Sequence, residues 1–200
     1  MANRALLVVG LHQFLNVPLW FQFGGYTQPD GKVVHGDINM FLAGDPNAGL
    51  FTSGFFPIMM FALPAAALAI THTARPERRA EVGGLMLSVA LTSFVTGITE
   101  PLEYSFMFIA PALYAVHAVL TGVSMAVTWA LGVHDGFSFS AGLIDYVINW
   151  RLATRPWAVV PIGLCFAVLY YVVFRFAITR FRLRTPGREP VEQVEDTTKA

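Results

Sequence analysis

The sequence predicts an all-α membrane protein of several spans, a polytopic helical fold with re-entrant hairpins. Three observations carry that reading. Of 200 residues, 55% are hydrophobic and 13% charged, about half the charged share of an ordinary soluble domain. The apolar residues gather into five long segments. One of these closes on Gly97-Ile98-Thr99-Glu100-Pro101-Leu102-Glu103-Tyr104, which sets two carboxylates and a proline inside apolar sequence.

The segments run roughly Ala5–Phe23, Leu50–Thr71, Val82–Ile98, Tyr104–Val133 and Trp157–Ile178. About 20 helical residues cross the hydrocarbon layer, so the first, second and fifth fit a simple span. The fourth is longer than a span requires, and Pro111 and Gly122 predict a bend or tilt. The third is short and ends in the glycine–proline break. Arg75, Arg78 and Arg79 follow the second segment, and Arg175, Arg180, Arg182, Arg184 and Arg188 lie in or after the fifth. Both regions are expected in the cytoplasm. Three apolar segments lie between them, where an even number of crossings is required. One must enter and return, and the third fits best, with Glu100 at the hairpin tip. Arg151 and Arg155 count against this topology, because it places them outside. Non-helical backbone at that depth must be buried in protein or line a wet cavity.

Composition also excludes classes. The zero formal net charge leaves no basic surface for nucleic acid. Cys165 is the one cysteine, which rules out a disulfide within the chain and reads as an inert packing residue in its span. The N-terminal segment brings His12, Gln13 and Asn16 without a small-residue cleavage site, so it reads as a retained membrane segment. Neither a phosphate-cradling Gly-x-x-x-x-Gly-Lys loop nor Gly-x-Ser-x-Gly is present. His35, Asp37 and Asn39 match no standard metal spacing and read as a polar turn. No metal and no cofactor is expected. The stretch 134–142, with alternating Phe and Ser, reads as a second re-entrant element or an ordinary loop.

An acid at membrane depth costs about 2.5–3.5 kcal/mol on insertion scales, so the Glu100 region is the leading candidate for a ligand site. The alternative is a surface loop with Glu100 and Glu103 in water. On a continuous helix Arg4 and His12, eight positions apart, project from nearly one face, with Gln13 and Asn16 continuing a polar stripe. Arg4 alone also fits a snorkelling side chain. Trp20, Phe21, Phe23, Tyr104 and Phe106 accompany these groups, as rings do in sugar sites and in interfacial belts. The residues by themselves point to a polytopic, transporter-like protein with a polar site built from Glu100 and His12. An ordinary proton-coupled transporter remains open at this point.

The runs Gly10-Leu11-His12-Gln13-Phe14-Leu15-Asn16, His35-Gly36-Asp37-Ile38-Asn39, Gly97–Glu103, Phe137-Ser138-Phe139-Ser140 and Thr185-Pro186-Gly187-Arg188-Glu189 resemble the glucose superfamily of phosphotransferase-system permeases, the enzyme IIC components. Gln13, together with Gly54-Phe55-Phe56-Pro57-Ile58-Met59-Met60, looks like the N-acetylglucosamine branch. The resemblance implies a helical transport domain with re-entrant hairpins, spanning 1–183 and followed by a polar cytoplasmic tail over 184–200. It implies a bacterial plasma-membrane protein that moves N-acetylglucosamine or glucose inward while a phosphorylated enzyme IIB partner phosphorylates the sugar. Glu100 and His12 would be the catalytic pair, and Arg4, His12, Gln13, Thr99 and Glu100 would touch the sugar. The phosphoryl-donor cysteine would sit on IIB, not at Cys165. Family members carry about twice as much membrane sequence, so an N-terminal half with its dimerising scaffold, or a homodimer partner, is expected beside the bilayer lipids. A truncated, non-transporting sugar-binding fragment is the alternative.

Overall fold

A computed structural model describes residues 2–188. The first apolar segment forms two helices, not one: α1 (Ala2–Leu7) and α2 (Gln13–Phe21). The turn between them passes through Gly10 at φ 73°, a left-handed conformation that glycine enters without steric cost. A small hairpin, β1 (Tyr26–Thr27) and β2 (Val33–Val34), pairs Tyr26 with Val34 and leads into α3 (Asp37–Leu42).

The His-Gly-Asp-Ile-Asn run is therefore more than a polar turn. The buried Asp37 carboxylate accepts N–H bonds from Gly49 (2.8 Å), Leu50 (3.2 Å) and Phe51 (2.8 Å). It ties down the loop that opens the second apolar segment. That segment continues as a π-helical stretch, Pro57–Ala62, and then α4 (Leu63–Thr73). Pro64 has no N–H to return to Met60, and the wider π turn accommodates its ring. Carbonyls of this stretch are met from other helices. Ser124 donates to Gly54 O at 2.7 Å and Ser93 to Met59 O at 2.6 Å.

After a 3₁₀ turn at Pro76–Arg78, α5 (Arg79–Thr96) runs to Gly97, which ends it at φ 76°. The expected break is present. α6 (Glu100–Met107) restarts with Pro101 in its first turn, where a missing N–H costs nothing. The fourth apolar segment is interrupted at 108–110, and its main part is α7 (Pro111–Ala130). A loop carries the chain to α8 (Leu143–Ile148), and a turn at Pro156–Ala158 starts α9 (Val159–Arg180).

α9 buries Ile162, Phe166, Tyr170, Phe174 and Ile178 on one stripe and exposes Leu164, Val168, Val172 and Phe176 on the other. A helix apolar on both faces packs inward on protein and outward on lipid. Among the described residues two helices, Pro111–Ala130 and Pro156–Arg180, are long and apolar enough to cross a membrane, and the second of them is one of the three simple spans expected. The first segment is divided at Gly10, and the second forms one apolar helix, Pro57–Thr73, that is shorter than a span. Cys165 is exposed on α9, a correction to its expected buried packing role, because it falls on the outward stripe. The expected tail from 184 begins with chain that packs back. Gly187 O accepts from Arg75 N at 3.1 Å, and Arg188 donates to Thr73 O at 2.8 Å. Residues 189–200 lie outside the described residues.

Candidate functional site

The two breaks at Gly10 and Gly97 bring α1, α2 and α6 around one polar cavity of about 280 Å³, near the lower end of the roughly 300–1,000 Å³ common for ligand sites. Arg4, His12, Gln13, Thr99 and Glu100 all line it, together with Asn3, Asn16, Trp20, Phe55, Phe137 and Ser140. Arg4 and His12 thus share a cavity, though not by sharing a helical face: the turn at Gly10 interrupts the helix, and the fold brings them together instead. Tyr104 is exposed on α6, and Phe21 and Phe23 are also exposed. None of the three lines this cavity.

Glu100 is half-buried at the N-terminus of α6, where a carboxylate meets the positive end of the helix dipole. Glu103, one turn on, is not in water. It is fully buried, with Oε1 2.8 Å from Arg4 Nη1. The Arg4 guanidinium lies over the Phe55 ring, 5.2 Å from its centroid, and Tyr114 donates its hydroxyl proton to Arg4 O at 2.6 Å. Arg4 Nε and Nη2 and His12 Nδ1 are buried without a hydrogen-bond partner among the described residues. Trp20 meets Phe137 edge-on, with centroids 5.4 Å apart. Asn16 bridges Asn3 and Gln13 through its side-chain amide.

The rim is built from two loops. Ser140 donates to Gly97 O at 2.9 Å. The buried Asp145 carboxylate accepts the N–H groups of Ser138 (2.7 Å), Phe139 (3.3 Å) and Ser140 (3.1 Å). The stretch 134–142 is an ordered loop held by these bonds and by the His134–Thr154 bridge. Free N–H donors, a carboxylate acceptor, amides that do both, and ring faces together suit a neutral polyhydroxyl ligand with an apolar side.

The family model described as the phosphotransferase system EIIC matches residues 1–122. The chain belongs to that family. Among its EIIC relatives, the N-acetylglucosamine-specific EIIC component of Streptomyces coelicolor is 69% identical over 99% of this chain and 48% of its own length. The N-acetylglucosamine-specific EIICBA component of Escherichia coli is 54% identical over 99% of this chain and 31% of its own length. The glucose-specific EIICBA component of Staphylococcus saprophyticus is 51% identical over 94% of this chain and 29% of its own length. The chain therefore spans about half the length of the first relative and about a third of the other two. EIIC membership and the two apolar spans make this a membrane protein.

Sequence reasoning missed Glu103 as Arg4's partner and passed over His117, Tyr114 and Tyr170 entirely. His117 Nε2 lies 3.7 Å from Glu103 Oε1, and its Nδ1 is 3.0 Å from the Tyr170 hydroxyl. A signal was available: an ionisable residue inside an apolar span needs a partner, and His117 is the one such residue within α7.

Proposed function

We propose that this chain is the sugar-binding, transport half of an EIIC permease that moves N-acetylglucosamine inward while phospho-IIB phosphorylates it. The observation that carries this reading is the convergence of Arg4, His12, Gln13, Thr99 and Glu100 on one cavity with unpaired donors. The N-acetylglucosamine-specific names of two relatives support the sugar, and the EIICBA names of the second and third support a IIB partner.

In this reading Arg4 and Gln13 donate to sugar oxygens, Thr99 contributes its hydroxyl, and Trp20 packs on the sugar's apolar side. Glu100 accepts from hydroxyl groups. Glu100 or His12 takes the proton of the 6-hydroxyl as its oxygen attacks the phosphoryl group on the IIB cysteine. The sulfur–phosphorus bond breaks, and the thiolate leaves. Residues 1–183 form the transport domain, with the Gly97–Glu100 break as a re-entrant tip. The arginine-rich end faces the cytoplasm in a multi-pass topology, with the 184–200 tail on that side and a dimerising scaffold half as partner.

Membrane vesicles containing the chain test this with radiolabelled N-acetylglucosamine and phospho-IIB. Sugar phosphate forms with wild type and not with Glu100→Gln, which still inserts. Sugar phosphate formation by Glu100→Gln at the wild-type rate overturns the site assignment. A second reading is a protein that binds sugar in the same cavity without transporting it. Saturable sugar binding with no phosphorylation by IIB distinguishes it.

A further inference from the structure

We propose that Glu103 is a positioning residue of the sugar site: it holds the Arg4 guanidinium at the cavity wall and is itself backed by His117 and Tyr170. The inference rests on the sugar-binding reading above. Four helices supply one residue each. Tyr170 on α9 meets His117 on α7 at 3.0 Å, His117 Nε2 approaches Glu103 on α6 at 3.7 Å, and Glu103 pairs with Arg4 on α1 at 2.8 Å. Glu103, His117 and Tyr170 are fully buried, and Arg4 is 3% exposed.

Arg4 is the only one of the four that lines the cavity. An arginine carries five N–H donors in a rigid fork. Glu103 engages the Nη1 end, while Nε and Nη2 are buried without a hydrogen-bond partner among the described residues. A carboxylate on one edge therefore fixes where the remaining donors stand. Tyr170 offers its hydroxyl proton to His117 Nδ1 in the tautomer that keeps hydrogen on Nε2, facing Glu103 Oε1. Each member orients the next, and the last sets the guanidinium and its donors in the cavity wall. Because a bound sugar meets those donors equally before and during phosphoryl transfer, loosening them raises KM more than it lowers kcat.

Kinetics of N-acetylglucosamine phosphorylation in vesicles with phospho-IIB test the assignment, scaled to folded protein in the membrane. Glu103→Gln is expected to raise KM about tenfold or more with a smaller change in kcat, and Glu103→Asp, which keeps the charge, to recover most of it. Tyr170→Phe, which leaves every charge in place and keeps the ring's packing, is expected to raise KM about two- to threefold. A purely structural role lowers the amount of folded protein and leaves KM alone. Wild-type KM in both Glu103→Gln and Tyr170→Phe overturns the positioning role while wild-type turnover leaves the sugar reading standing. If Glu103→Gln does not fold, wild-type KM in Tyr170→Phe alone overturns it. No sugar phosphorylation or binding by wild type overturns the sugar reading and this inference with it.

Discussion

The protein buries its acids by two opposite means, with a cation behind the cavity and with backbone amides in its loops. Glu103 is held by a cation, Arg4. Asp37 and Asp145 are held by backbone amides, each by three successive N–H groups of a loop. Asp135, on the same loop as the Asp145 ligands, is fully buried, and neither of its oxygens has a hydrogen bond of good geometry among the described residues. The amide-held acids spend their acceptor capacity on their own chain and make loops rigid. The cation-held acid leaves its partner with donors to spare.

Glu103→Leu should have the largest effect. Arg4 is then buried without its counter-charge, and unfolding stability in detergent should fall by about 3–5 kcal/mol. Adding Arg4→Met should restore most of that stability and none of the sugar binding. Asp37→Ala strands three amides and should cost about 2–3 kcal/mol, while Asp37→Asn, which keeps one acceptor oxygen, should cost less. Both are read from chemical unfolding. Asp145→Ala should cost about 2 kcal/mol. It should also weaken sugar binding, because Phe139 and Ser140 line the cavity.

The smallest effect belongs to Asp135→Asn. Burial pushes the Asp135 carboxyl up to about 8, Asp145 nearby pushes it the same way, and the Gly136 amide offsets this only in part. The folded state therefore binds this proton more tightly than the unfolded chain does. The resulting stability is fully present below the ordinary value of 3.8 and is lost as pH rises through about 8. Asp135→Asn should flatten that slope, so its melting temperature exceeds that of wild type by more at pH 8 than at pH 5. Melting temperatures from pH 5 to pH 9 check it.

Much of this was legible from local chemistry. Gly97, Pro101 and the acids around them announce a break, because a left-handed glycine and a proline stop and restart a helix wherever they sit. Arg4, His12 and Glu100 could be marked as candidates because ionisable groups in apolar sequence need a reason. What could not be read is pairing at long range. Arg4 and Glu103 are ninety-nine positions apart, and nothing near either names the other. The turn at Gly10 was hidden by the apolar residues around it, which read as an unbroken span. Asp37 looked like a turn residue because its amide partners, at 49–51, lie beyond the local window.

The Gly97–Ser140 bond has one more consequence. Ser140 bridges to Gly97 O, and a side chain at Gly142 would lie within 2.4 Å of Gly97 N. The tip of the α5–α6 break and the 137–142 loop are thus latched together and form one continuous piece of the cavity rim. A side chain placed at Gly142 would therefore disturb the cavity rim from both loops at once.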